Sequence, residues 1–264
     1  MDVKEVNKKI IEYWDTKDGL LKDIEEGRIN LEMDAVCFFH ERLYPLIRND
    51  NKIRCFYNLM LIAPPKGNRK RYQYDMVFYE YCDMDGFLKK HENINIKDLY
   101  NTSFESYSDF YSNREYYPAI VVEVKTWPGN FNQAIKRDLR KLQDLIDWNT
   151  QKLGDNPYRK APQYAHLLFT VVRTERIRKW AGDLATSLRM DKVDSGNDVI
   201  RYTCKEEGIK KEMVMTPTSV TLRNKTLLAQ IYAFKNSPEK ITYPSPNGTV
   251  WLGRISFSRD GKEK

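Results

Sequence analysis

The chain has 264 residues, with 44 lysines and arginines against 37 aspartates and glutamates, a net charge of +7. That length suffices to bury a large core without disulfides or a structural metal, and the basic balance suits a polyanionic partner, because surface cations concentrate phosphates. Cys37, Cys55, Cys82 and Cys204 form no CxxC pair and His40, His91 and His166 lie far apart, which argues against a zinc centre; no apolar run approaches the roughly 20 residues that span a bilayer and the segment Met1 to Glu5 is charged, so a soluble, cytoplasmic protein with no membrane partner is expected.

Residues 3–27 carry Ile10, Ile11, Trp14, Leu20, Leu21 and Ile24 among charges, and predict one or two amphipathic helices broken near Gly19. A stronger helix is predicted over 31–48, where Leu31, Ala35, Phe38, Phe39, Leu43 and Leu46 recur at helical spacing and Pro45 comes late. Strands follow at 53–62 and 71–81, separated by a turn at Pro64-Pro65 and Gly67-Asn68. Residues 82–117 are polar and tyrosine-rich. The clearest strand is 118–127, ended by Pro128-Gly129, and the clearest helix is 130–151, with Phe131, Ile135, Leu139, Leu142, Leu145 and Ile146 along one stripe. A buried strand at 164–172, a helix at 174–190, two or three short strands between 198 and 223, a helix at 225–235 and a strand-like Val250-Trp251-Leu252 complete the chain. The order predicts a mixed α/β domain.

The spacing acid-x-Lys in Glu123-Val124-Lys125 means little by itself, since it recurs at Asp2/Lys4, Asp15/Lys17, Asp50/Lys52 and Asp260/Lys262. Those four pairs stand in polar surroundings. Glu123 and Lys125 instead interrupt an apolar strand, where an uncompensated charge costs several kcal/mol. Alternation along a strand points both to one face. An ion pair between strand neighbours accounts for the triplet as well as a catalytic site does. Asp75 tips the balance, because it interrupts the other strongly apolar strand, between Tyr74 and Met76-Val77-Phe78. Two acids side by side on adjacent strands repel, and a divalent cation between them removes the penalty. Their carboxylates, the Val124 carbonyl and water form a hard oxygen set suited to Mg²⁺. A lysine beside that set stabilises the charge that gathers on a phosphoryl group during hydrolysis.

The succession of a helix with Glu41, a hairpin with Asp75, Glu123-Val124-Lys125, a basic amphipathic helix and a further strand, over about residues 31–172, resembles the PD-(D/E)xK nuclease superfamily. Tyr74 stands where the motif has proline. Neither Gln133 nor Gln143 is followed four residues on by the tyrosine of the RecB-like subgroup. The resemblance implies an α/β, restriction-endonuclease-like αβββαβ core with a central mixed sheet flanked by helices. That core would fill residues 31–190 of one nuclease-like domain, with an insertion at 82–117, a helical N-terminal extension over 1–30 and a C-terminal extension over 191–264. It implies Asp75 and Glu123 as metal ligands with the Val124 carbonyl, Lys125 as the catalytic lysine and Glu41 as the acid of the first core helix. Mg²⁺, replaceable by Mn²⁺, would be the cofactor. The expected activity is an endonuclease acting on DNA, such as a restriction or phage-defence enzyme, and double-strand cleavage would suit a homodimer. The alternatives are a nuclease fold that grips nucleic acid without cutting it, and a structural domain whose charges form an ion-pair network. Lys136, Arg137, Arg140 and Lys141 on the helix after the motif, and Arg69, Lys70 and Arg71 before the Asp75 strand, are the expected phosphate contacts, although basic faces of this kind are also commonly just solvated. The aromatics of 82–117 serve equally as base-stacking platforms or as the packing of a flap.

Overall fold

A computed structural model describes residues 1–16, 19–20, 22–25, 32–48, 52–63, 70–81, 116–126, 131–146, 162–171, 177–193, 199–206, 208–221 and 247–259. The predicted helix at 225–235 and nearly all of the aromatic stretch at 82–117 lie outside them. The described helices are α1 (Val3–Asp15), α2 (Lys22–Glu25), α3 (Glu32–Ile47), α4 (Phe131–Ile146) and α5 (Ile177–Ser187). The described strands are β1 (Ile53–Ala63), β2 (Lys70–Tyr81), β3 (Tyr116–Lys125), β4 (Tyr164–Val171), β5 (Asp191–Val193), β6 (Ile200–Glu206), β7 (Ile209–Thr221) and β8 (Asn247–Arg259). They form one mixed sheet in the order β1-β2-β3-β4-β8-β7-β6-β5. β3 and β4 run parallel, and every other described pairing is antiparallel. The parallel pair needs a crossover, and α4 lies within it. None of the described helices is long and apolar enough to cross a membrane.

Alternation along the strands sorts the core into two layers. Val121 on β3, Ala165, Leu167 and Phe169 on β4, and Ile255 and Phe257 on β8 pack with α4 and α5. Their neighbours Ile120, Val122, Val124, Leu168 and Leu252 pack with α1 and α3 on the opposite face. α4 covers its face with Ile135, Leu139, Leu142, Leu145 and Ile146, all buried. Each such side chain contributes about 1.5–3 kcal/mol through burial. The guanidinium of Arg259 donates to the carbonyl of Ile146, a helix-end oxygen with no partner inside the helix.

α1 begins with a reciprocal cap in which Asp2 accepts from the Glu5 amide and Glu5 from the Asp2 amide. Val3, Val6, Ile10 and Trp14 form its buried stripe, and the Trp14 indole donates to the Gly253 carbonyl at 3.0 Å. A buried polar chain also ties α1 to the sheet. The Arg254 Nη1 donates to Ser256 Oγ at 2.7 Å, so the serine hydroxyl is left to donate to His166 Nδ1 at 2.8 Å. His166 Nε2 then carries the proton donated to Asn7 Oδ1 at 2.6 Å. Burial, reinforced by the charge of Arg254, pushes the His166 pKa down to about 3, so the ring is neutral. Arg254 completes its own bonding with Asp15 and Glu212.

β8 holds the sheet together. β4 and β7 are each paired to β8 and not to each other, so β8 carries the backbone bonds between β1–β4 and β5–β7. Gly253 faces Phe169 across the β4–β8 ladder, and a Cβ built there would come within 2.1 Å of the Phe169 ring. Gly253→Ala is therefore expected to cost about 1–3 kcal/mol through overpacking, read as a lower midpoint of urea unfolding.

Candidate active site

The β2–β3 ladder stops at Met76↔Val122. Beyond that pair β2 continues against β1 as far as Lys70, and β3 continues against β4 as far as Lys125. Asp75 stands at the opening. Its Oδ2 accepts the Val124 amide at 2.7 Å, a side chain taking a position where a backbone partner would otherwise sit. Val77 and Val121 are paired and buried together under α4. Asp75 and Glu123 lie two residues further along each strand and so share that face. Lys125, two beyond Glu123, shares it as well. The sequence-derived trio of Asp75, Glu123 and Lys125 is brought together.

Two residues of α4 close the site from above. Asp138 is fully buried and Glu123 is 2 % exposed. The Lys141 Nζ lies 2.6 Å from Glu123 Oε1 and 3.0 Å from Asp138 Oδ1, and donates to the Gln73 carbonyl at 3.1 Å. The Lys125 Nζ lies 2.9 Å from Glu32 Oε2 and 3.5 Å from Asp138 Oδ2, donates to the Val124 carbonyl at 3.0 Å and comes within 3.9 Å of Glu123 Oε2. Glu32, Asp75, Glu123 and Asp138 thus face the ammoniums of Lys125 and Lys141, and negative charge is in excess. Burial, with the charge of Asp75 second, pushes the Glu123 pKa up to about 8, against the opposing pull of Lys141. Burial opposes the charge on Lys125, but the hydrogen bond with Glu32 and the charges of Asp75, Glu32 and Asp138 outweigh it and hold its pKa above the ordinary lysine value.

Other sequence-derived candidates fall differently. Glu41 is exposed. At 100° per residue it lies half a turn around α3 from Glu32, and Glu32 is the acid of that helix that reaches Lys125. Lys141 is turned into the site rather than toward solvent, its side chain 15 % exposed. Lys136, Arg137 and Arg140 are exposed on the outer face of α4. Arg69 lies outside the described residues, and of Lys70 and Arg71 only the backbone, at the start of β2, is described. Sequence reasoning missed Asp138 as a site residue, although a signal was there. It occupies a position in the apolar stripe between Ile135 and Leu142, the same kind of interruption that exposed Glu123. Glu32 carried no such mark.

Among the described residues no three of the His, Cys, Asp and Glu side chains are spaced to hold a metal ion. The donors available to a divalent ion here are the carboxylates of Asp75 and Glu123, the second lone pair of the Val124 carbonyl, and water. The donors are all oxygen, which suits Mg²⁺. The buried Asp138 Oδ2 accepts no hydrogen bond among the described residues, and an ammonium already sits among Glu123, Asp138 and Gln73 oxygens. Both observations fit a pocket built for positive charge. No protein-family model, curated protein or solved structure matches this chain.

Proposed function

We propose that this protein is a divalent-metal-dependent endonuclease that hydrolyses phosphodiester bonds, with DNA as its substrate. The succession α3-β1-β2-β3-α4-β4 supports a restriction-endonuclease-like core of the PD-(D/E)xK type. One observation carries the reading: Asp75, Glu123 and Lys125 share one face of the sheet where the β2–β3 ladder opens, with more carboxylates than cations around them.

Asp75 and Glu123 would hold Mg²⁺ or Mn²⁺ together with the Val124 carbonyl. When bound, the ion would supply a water of lowered pKa and positive charge that stabilises the leaving oxygen. Lys125 presents a fixed ammonium to the phosphoryl oxygens, where negative charge grows in the transition state. Glu32 and the Val124 carbonyl orient that ammonium through two hydrogen bonds. Asp75 also fixes the Val124 amide, and so the carbonyl donor of the same residue. Lys136, Arg137 and Arg140, exposed on α4 above the site, suit backbone phosphates.

The test is incubation of plasmid and single-stranded DNA with the protein in Mg²⁺ or Mn²⁺, with Asp75→Ala as control. Metal-dependent cleavage lost in the variant supports the reading. Binding without cleavage moves the protein to the class of nuclease-fold binders. Neither activity leaves a structural ion-pair network, in which the charges serve only one another.

A further inference from the structure

The roles proposed for Asp75, Glu123 and Lys125 leave Lys141 unexplained. A lysine that simply held a phosphate would point outward with Lys136, Arg137 and Arg140. Lys141 instead inserts its ammonium among a Glu123 oxygen at 2.6 Å, an Asp138 oxygen at 3.0 Å and the Gln73 carbonyl at 3.1 Å. Its own carbonyl accepts from the Tyr74 hydroxyl at 3.3 Å, and its ammonium lies 5.5 Å from the centre of the Tyr74 ring. The lysine is thus gripped at both ends. Two carboxylate oxygens and a carbonyl oxygen around one cation are the donor types a divalent ion takes, and one of those oxygens belongs to Glu123.

We propose that the Lys141 ammonium is a built-in counter-cation that competes with the divalent ion for Glu123, so that metal loading requires Lys141 to withdraw. This rests on the metal-dependent reading given above. The physical reason is neutralisation. Glu123 and Asp138 are both buried, and each carboxylate, when ionised, needs a cation close beside it. Lys141 supplies it before metal arrives, and Asp138 retains the ammonium near the pocket afterwards. Four methylenes and free rotation about each give the side chain enough reach to leave Glu123 while its backbone stays in α4. The apparent metal affinity is then reduced by the fraction of molecules in which the ammonium has moved aside.

The experiment is calorimetric titration of the DNA-free protein with Mn²⁺, comparing wild type with Lys141→Met and Lys141→Gln. Lys179→Met removes one exposed charge from α5 on the same side of the sheet as a control. Both Lys141 variants are expected to bind Mn²⁺ about 10-fold tighter or more, with the control close to wild type. Affinity that is unchanged or weaker in folded Lys141 variants overturns the competition while leaving the metal site intact, and so does an equal gain in the control. Absence of Mn²⁺ binding in wild type and variants alike overturns the metal-dependent reading itself. A measurement on the wild type needs no stable variant. The ¹⁵Nζ resonance of Lys141, assigned by its loss in Lys141→Arg, should move from its metal-free position on saturation with Mg²⁺ as the ammonium leaves Glu123. A resonance that stays in place while Mg²⁺ binds overturns the proposal.

Discussion

Lys125→Met is expected to lower the rate of metal-dependent DNA cleavage by about a thousandfold or more, while Mn²⁺ still binds. The side chain keeps its apolar stem and loses only the ammonium. That ammonium lies 3.0 Å from the Val124 carbonyl and 3.9 Å from Glu123, beside the proposed ligands yet not one of them. Under the proposed function, removing it withdraws the positive charge that would face the phosphoryl group without withdrawing a metal donor. The cost to stability should be modest. Glu32 is 42 % exposed in its side chain and returns to water, and Asp138 keeps Lys141 at 3.0 Å. Single-turnover cleavage with saturating metal separates chemistry from loading. If the rate stays within about tenfold of wild type, Lys125 is a structural partner of Glu32 and Asp138 and the catalytic role goes elsewhere. Glu32→Gln is the companion variant. It loosens the orientation of Lys125 and leaves the ammonium in place, so it should show a smaller loss than Lys125→Met under the same conditions.

Much of this site was legible because charge inside an apolar period is conspicuous. Asp75 and Glu123 announce themselves by interrupting runs of β-branched and aromatic residues, and the strands at 53–63, 70–81 and 116–125 follow the predicted segments within a few residues. α4 follows its stripe for the same reason. What failed to show was information held in the packing between elements. Glu32 stands in an unremarkable first turn and acquires meaning only because α3 lies across the sheet near Lys125. The resemblance pointed to Glu41 instead, and nine residues of helical rotation separate it from Glu32. β5 has every side chain exposed and so no burial pattern to detect. β8 reads as a strand near Trp251, but its place between β4 and β7 is decided by pairing across the whole chain, which no local period encodes.

Glu123→Gln is expected to raise the thermal stability of the metal-free protein at pH 8 and to abolish cleavage. The two effects have one origin. Glu123 is 2 % exposed, and its folded pKa of about 8 stands well above the ordinary 4.5. Between those values the folded protein holds a proton that the unfolded chain has released. Stability therefore falls as pH rises from 4.5 toward 8, and above 8 the full penalty of the buried charge is present. Glutamine resembles the protonated acid and does not pay it. The gain from the substitution should be near zero at pH 5 and grow to a few kcal/mol by pH 8. His166 acts in the opposite direction at lower pH, since its pKa is lowered to about 3 from 6.5. It gains stability as pH rises through that window and is neutral in both states above it. The comparison is cleanest between pH 6.5 and 8, where the slope of wild-type melting temperature against pH should flatten in Glu123→Gln. Lys141 keeps its contacts with Asp138 and Gln73 in the variant, so the loss of one bond to Glu123 does not reverse the sign. A structural ion pair makes the contrary forecast, because replacing one partner of a stabilising pair lowers the melting temperature most where that partner is charged. A lower melting temperature for Glu123→Gln at pH 8 would assign the cluster to architecture. A higher one, with cleavage lost, marks a carboxylate kept at a cost in stability for the charge it presents to a cation.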